Sequence, residues 1–119
     1  MTATEYQTQA YKTLAKSTAE NISYLSFGLV AEVGEVADKI AKAVRRGEIS
    51  INNDEIIIKR GLGEELTQNI AHELGDVLWF VAMLAQRIGY SLEEVMKLNL
   101  DKLAGRQARG VIIGDGDKR

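Results

Sequence analysis

Apolar residues recur along the chain at steps of three and four positions in two long segments. The first run is Leu25, Leu29, Val33, Val36, Ile40 and Val44, and the second is Ile70, Leu74, Val77, Val81, Leu84 and Ile88. Side chains at these steps lie on one side of an α-helix, so the pattern predicts two long amphipathic helices. Gly47 and Gly89 directly follow the two runs, and a glycine at that place commonly ends a helix.

Two shorter helices are predicted on either side of this pair. Tyr6, Ala10 and Leu14 indicate a helix over residues 4–16. Ser91 followed by Glu94 is a capping box, which predicts a fourth helix from there through residue 104. Residues 17–21 are a connector, residues 48–64 hold either a short accessory hairpin or a loop insertion, and residues 110–119 form an irregular tail. The pattern therefore predicts an all-α, four-helix fold in a single domain over residues 1–119.

The composition excludes several classes of protein. The chain has 119 residues, no proline and no cysteine, which rules out a disulfide scaffold or a cysteine-based zinc site. It contains no run of 18 apolar residues and no basic-then-apolar leader pattern. We therefore expect a cytoplasmic protein that does not enter a membrane. A net charge of −2 gives no general attraction to nucleic acid, so no stable nucleic-acid binding is expected.

Two short motifs inside the long helices each carry two acidic residues three positions apart. They are Glu32-Val33-Gly34-Glu35 and Glu73-Leu74-Gly75-Asp76. Residues i and i+3 lie on the same side of a helix, so each motif projects two carboxylates together. If the helices pack antiparallel, four carboxylates converge, and charges that close need a cation among them. Because Mg²⁺ and Mn²⁺ prefer oxygen ligands, the pattern predicts a metal site.

The ordinary alternative is that these acids are simply solvated on a polar face. They are instead interleaved with the apolar residues that face the core. Each motif also encloses a glycine, which costs a helix about 1 kcal/mol relative to alanine. Gly34 and Gly75 therefore predict either close approach of the helices or clearance for something bound between them. His72 lies about 100° round the helix from Glu73, so the Glu-x-x-His motif of di-iron bundles is lacking.

Basic residues near the end of the chain are candidates for binding phosphate. Lys102 and Arg106 are four positions apart on the fourth helix, and Arg109 follows them. A nucleotide neutralised on one side by metal still needs cations on the other side. The alternative is that these are surface charges near a helix C-terminus. Lys39 has the same two interpretations, because it lies four positions after Glu35 and can pair with it.

Together with Asn99-Leu100-Asp101-Lys102-Leu103, Arg106 and Arg109-Gly110, the two acidic motifs resemble a MazG-type all-α nucleoside triphosphate pyrophosphohydrolase. The resemblance spans roughly residues 4–119 and implies a four-helix bundle of that type. It implies that Mg²⁺, for which Mn²⁺ can substitute, is bound by Glu32, Glu35, Glu73 and Asp76. It also implies that Lys102 and Arg106 contact the phosphates. The 37-residue distance from Glu35 to Glu73 exceeds that of compact members, so the segment around Ile56 is an insertion.

The implied reaction is hydrolysis of a nucleoside triphosphate between the α and β phosphates, which gives a monophosphate and pyrophosphate. The resemblance favours deoxynucleotides, with purines such as dGTP among them. One carboxylate can accept the proton of the attacking water, and Glu35 is the preferred general base. Two alternatives remain open: a catalytically silent helical regulatory or interaction module, and a nucleotide phosphatase that releases inorganic phosphate.

Base recognition and assembly are predicted more coarsely. Phe80, four positions after Asp76, is the preferred stacking surface, and Asn21 is a candidate for contacting a base edge. Phe27 and Val30 give the second helix apolar residues beyond its main stripe, which predicts a second buried face. Members of the resembled family form dimers, often paired into tetramers. We therefore expect a homodimer or homotetramer with part of each base pocket supplied in trans.

Overall fold

The structure, a computed structural model, describes residues 1–17, 21–52, 55–58 and 63–113, with side chains described for 1–17, 21–49 and 63–113. Four helices carry the fold: α1 Ala3–Tyr11, α2 Ile22–Arg45, α3 Gly63–Arg87 and α4 Leu92–Ala108. Between α2 and α3, β1 (Ile49–Asn52) and β2 (Glu55–Ile58) pair antiparallel in a two-stranded hairpin. The all-α architecture with an accessory hairpin is confirmed. Residues 18–20 of the predicted connector, residues 53–54 and 59–62 of the predicted hairpin or insertion, and residues 114–119 of the predicted tail lie outside the described residues.

The long helices α2 and α3 pack along each other, and α1 and α4 pack on α3. The main core lies where these four helices meet, and its buried members are Ala10, Leu25, Phe80, Ala82, Met83 and Leu92. A smaller cluster of Ala43, Ile49 and Leu66 joins the hairpin to the α2–α3 pair. Among the described helices, none is long and apolar enough to cross a membrane.

Both long helices end at the glycines that the sequence indicated. Gly47 has φ 70° and Gly89 has φ 87°, a left-handed conformation that favours glycine. The N–H of Glu48 then donates to the carbonyl of Ala43, and that of Tyr90 to the carbonyl of Ala85, both at 2.9 Å. These bonds satisfy carbonyls that the helix leaves without partners, in the manner of a Schellman motif.

The ends of α1 and α4 differ from the predicted boundaries. α1 ends at Tyr11 rather than near residue 16, because the Thr13 hydroxyl donates to the Ala10 carbonyl at 2.7 Å. The same hydroxyl accepts a bond from Trp79 Nε1 at 2.8 Å, so α3 helps to fix this turn. α4 continues past residue 104 to Ala108 and ends before Gly110. Helix periodicity predicts neither boundary. The turn after α1 is fixed by the contact with Trp79, and α4 continues through the internal Gly105.

The close approach of α2 and α3 is at Gly28 and not at the predicted Gly34 or Gly75. A Cβ on Gly28 would overlap the ring of Phe80, so this is where a side chain of α3 presses against the backbone of α2. A Cβ on Gly34 or Gly75 would meet nothing within 4 Å among the described residues. Of the two alternatives that the sequence left open for these glycines, close helix approach is therefore wrong, and the open space beside them agrees with clearance between the helices.

A buried glutamine ties α1 to the corner between α3 and α4. Gln7 donates from Nε2 to the carbonyl of Ala82 at 3.0 Å, and its Oε1 accepts from the N–H of Leu92 at 2.9 Å. Leu92 is the first residue of α4, where a backbone N–H has no partner within the helix. Gln7 therefore fixes both the position of α1 and the start of α4.

Candidate metal centre

Three carboxylates from the two long helices meet at the middle of the α2–α3 pair. Glu32 comes from α2, and Glu73 and Asp76 come from α3, where their spacing of three places them on one side. One oxygen of each carboxylate lies within 4.8 Å of the others. Glu32 and Glu73 are half-buried and Asp76 is exposed, so the group lies at the surface of the groove between the helices.

The electrostatics of this group are unfavourable without a cation. Partial burial raises the pKa of Glu32 above its ordinary value, and the charges of Asp76, Glu73 and Glu35 raise that pKa further. The donor atoms are all carboxylate oxygens, the ligands that Mg²⁺ and Mn²⁺ prefer. His72 is exposed and is not a member of this three-carboxylate group. The residues present therefore fit a hard divalent ion.

Glu35, the fourth predicted ligand, is not part of the three-carboxylate group. Its side chain is 55% exposed, and its Oε2 lies 3.9 Å from Nζ of Lys39. Glu35 is still close enough for its charge to raise the pKa of Glu32. The structure thus brings together three of the four predicted ligands and sets the predicted general base to one side of them.

Lys39 lies between Glu35 and Glu73 rather than pointing freely to solvent. Its Nζ is 3.0 Å from Oε1 of Glu73, whose side chain is only 18% exposed. The hydrogen bond to Glu73 is the main cause that raises the pKa of Lys39, with the charges of Glu73 and Glu35 adding to it. The predicted pairing with Glu35 exists at longer range, and the closer partner is across the groove on α3. As a substrate-binding candidate, Lys39 is therefore already engaged by two acids.

Two other predicted substrate-binding residues have structural roles. Phe80 is buried in the core, packed against Gly28 and in edge contact with the ring of Trp79 at 4.8 Å between centroids. That packing covers the ring and corrects the expectation of a free stacking surface. Asn21 caps α2, and its side chain accepts from the N–H of Tyr24 at 2.9 Å. It lies eleven residues before Glu32, about 16 Å along the helix axis.

The basic residues on and after α4 differ in exposure. Lys102 and Arg109 are exposed, whereas Arg106 is only 6% exposed. A Cβ on Gly105 would lie 3.1 Å from a terminal nitrogen of Arg109, so that side chain folds back over the last turn of α4. Helical spacing predicts a shared face for Lys102 and Arg106, whereas in the structure Lys102 and Arg109 are exposed and Arg106 is buried.

Tyr6 on α1 is an aromatic residue whose position relates it to the carboxylates. Burial raises the pKa of its phenol, and the charge of Asp76 raises it further, which places the two groups near each other. Tyr6 also lines a groove of about 270 Å³ together with Leu78, Leu92 and Met96. Its position next to the carboxylates depends on how α1 docks on α3, which no local pattern in the sequence reveals.

These features define a class of protein: an all-α bundle with a group of three carboxylates between its two long helices. The family model of the MazG nucleotide pyrophosphohydrolase domain matches residues 20–111. The chain therefore belongs to this family. Both acidic motifs, the hairpin and α4 lie within the match, whereas α1 precedes it.

Two relatives are similar to most of this chain. The chain is 41% identical over 100 residues to the "Gene 37 protein" of Mycobacterium phage L5, covering 84% of this chain and 78% of the relative. It is 37% identical over 90 residues to the "Uncharacterized protein YvdC" of Bacillus subtilis (strain 168), covering 73% of this chain and 83% of that protein. No solved structure gives a significant match.

Proposed function

We propose that this protein hydrolyses nucleoside triphosphates between the α and β phosphates, with Mg²⁺ as cofactor, to give a monophosphate and pyrophosphate. The observation that carries the proposal is the convergence of three carboxylate oxygens within 4.8 Å in a chain of the MazG family. Deoxynucleotides, and purines such as dGTP among them, are the preferred substrates in this proposal, on the basis of family resemblance.

The residues at this centre have different roles in the proposed reaction. Glu32, Glu73 and Asp76 would hold the divalent ion, which would supply activation of water and offset charge on the leaving pyrophosphate. Glu35 lies beside that group without belonging to it, so we assign it to accept the proton of the attacking water. Water adds to the α phosphorus, the bond to the bridging oxygen breaks, and pyrophosphate leaves with the bonding electron pair.

Binding of the rest of the substrate is assigned from exposure and position. Lys102 and Arg109 are exposed and cationic, which supports a role in binding phosphate oxygens, whereas Arg106 is buried in the last turn of α4. Tyr6 takes the place of Phe80 as the stacking candidate, because its ring lines an open groove and its phenol is close enough to Asp76 for that charge to raise its pKa.

We also propose that the active form is a homodimer at least, and a tetramer by pairing of dimers. Phe27 and Val30 on α2 are 76% and 70% exposed, and Leu74 and Leu78 on α3 are exposed too. The radius of gyration is 17.5 Å, compared with about 13.5 Å for a compact domain of this length. This extended shape and the exposed apolar face next to the carboxylates support a homodimer. A second copy would cover this face and complete each base pocket.

Product analysis tests the proposed reaction directly. Wild-type protein with Mg²⁺ and a panel of ribo- and deoxynucleoside triphosphates should release pyrophosphate and the monophosphate, measured by phosphorus NMR. In ¹⁸O-labelled water the label should enter the monophosphate. A diphosphate with inorganic phosphate would overturn the proposal in favour of a phosphatase, and the absence of turnover on any nucleotide would favour an interaction module.

Two variants separate the assigned roles in the same assay. Asp76→Asn should lose at least about 100-fold in turnover together with metal affinity, because a ligand charge is removed. Glu35→Gln should lose a similar factor in turnover while metal affinity changes little. Equal loss of metal affinity in both variants would return Glu35 to the ligand set.

Light scattering tests the assembly. The wild-type protein should elute as a dimer or larger, and Val30→Asp should produce monomers with reduced turnover. A wild-type 13.1 kDa monomer that is fully active at assay concentration would contradict the proposed assembly.

A further inference from the structure

Lys39 is a fixed positive charge at the edge of a group that is otherwise acidic. Its ammonium lies 3.0 Å from Glu73 and 3.9 Å from Glu35. We propose that this ammonium fills the second cation position of the centre, so that the free protein binds one divalent ion per chain and not two. This inference rests on the proposed function, since it concerns the same metal centre.

The position of the ammonium supports this assignment. Metal ions in two-metal sites lie about 3.5–4 Å apart and share carboxylate ligands. A second ion here would have to bridge the two acids that Lys39 now joins, Glu35 and Glu73. A carboxylate has two oxygens, so Glu73 can pair with Lys39 through Oε1 and still offer an oxygen to an ion. A second divalent ion between Glu35 and Glu73 would compete for the position of the ammonium and be strongly repelled by it, so only one of these two cations can occupy that position.

The pair with Glu73 differs from an ordinary surface ion pair. Lys42 pairs with Asp38 four positions earlier on the same helix, and both side chains are well exposed. Lys39 instead reaches from α2 to α3, and its pair with Glu73 is less exposed on both sides. Contacts of the second kind depend on helix packing and are less screened by water. Lys39 is therefore a positioning residue as well, because it holds Glu73 beside Glu32 and Asp76.

The charge balance leads to the same conclusion. Glu32, Glu35, Glu73 and Asp76 carry four negative charges when ionised. One divalent ion and Lys39 neutralise three of them and leave the centre weakly negative. With two divalent ions and Lys39 the centre would become positive before the substrate arrives.

Manganese titration monitored by electron paramagnetic resonance tests the inference, because free Mn²⁺ gives the signal and no turnover is needed. Using the full chain without nucleotide, we expect one bound Mn²⁺ per chain for wild type. Lys39→Met keeps the length of the side chain and removes the charge, and should bind two. Lys39→Arg keeps the charge and should bind one. The matched control, Lys42→Met, removes a lysine charge from the same helix away from the centre and should also bind one.

The outcomes separate this inference from the proposed function. Two ions on wild type, or still one on Lys39→Met, would overturn the role of Lys39 even if wild type releases pyrophosphate. No Mn²⁺ on any variant would overturn the metal centre and this inference together. Circular dichroism checks that each variant is folded, and Lys39→Gln serves as the neutral replacement if Lys39→Met is not.

Discussion

Two adjacent stretches of the α2–α3 pair differ in what lies between the helices. At one end, Phe80 presses against Gly28 and the surrounding side chains, with Leu25 and Met83 fully buried. About one turn further along α2, Glu32 faces two acids on α3, and a Cβ added to Gly34 or Gly75 would find open space among the described residues. The first stretch is packed like a protein interior, and the second keeps like charges together and leaves space around them.

This difference indicates that the residues that stabilise the fold and the residues proposed to bind metal occupy separate stretches of the same helix pair. Packing at the Gly28 end fixes the distance and register of the two helices, and this register brings Glu32 opposite Glu73 and Asp76. The carboxylate stretch has open space beside its two glycines and carries unfavourable electrostatics in the metal-free protein. Variants at the packed end should therefore alter stability first, and variants at the open end should alter metal binding first.

The largest expected effect on stability comes from Gly28→Ala. The new methyl group would overlap the Phe80 ring, and overpacking of this kind costs about 1–3 kcal/mol. Urea unfolding at fixed protein concentration measures the cost. Phe80→Leu makes room at the same point, so the double variant should lose about 1 kcal/mol less than the sum of the two single variants. Simple additivity would show that the two residues are not in contact.

The next effect concerns the glutamine that joins α1 to α3 and α4. Gln7→Met keeps the approximate size of the side chain and leaves the buried N–H of Leu92 without its acceptor, which costs about 1–3 kcal/mol. Gln9→Met is the matched control, because Gln9 is exposed and should change stability by less than about 0.5 kcal/mol. Equal losses in the two variants would mean that Gln7 does not hold the helices together.

The smallest expected effect is a pH dependence at the start of α4. The backbone N–H of Ser91 and its hydroxyl both donate to Glu94, and they hold the pKa of Glu94 below its usual value. Because the folded-state pKa is lowered, the stabilisation is present above the unfolded-state pKa of about 4.3. It is lost as pH falls through the lower folded-state value. Unfolding midpoints of Glu94→Gln between pH 3 and 6 should therefore change less with pH than those of wild type or of Glu64→Gln.

The sequence alone predicts the four helices and the acidic pairs because both depend on local spacing. Apolar steps of three and four give α2 and α3, and a spacing of three puts Glu73 beside Asp76. The carboxylate of Glu32 joins them only because α2 and α3 pack in one particular register. The sequence suggests this register through the repeated motif but does not specify its distances.

The remaining features depend on contacts between distant parts of the chain. Helix spacing offers Glu35 as the partner of Lys39, and only the packed pair shows that Glu73 is closer. The same limit explains why helix spacing offers Phe80 as a stacking surface although its ring packs against Gly28 and Trp79. Local rules cannot rank a neighbour on the same helix against one on the next helix.

The rank order of stability with and without Mg²⁺ tests the metal centre most directly. In a chelator, Asp76→Asn should be more stable than wild type, because it removes one of the charges that repel each other. At a Mg²⁺ concentration 100 times the dissociation constant, wild type should gain about 2.7 kcal/mol and Asp76→Asn much less. We therefore predict that Mg²⁺ reverses the order of the two unfolding midpoints, measured at one protein concentration. An order that Mg²⁺ leaves unchanged, with equal gains in both proteins or none in either, would contradict a metal centre at these carboxylates.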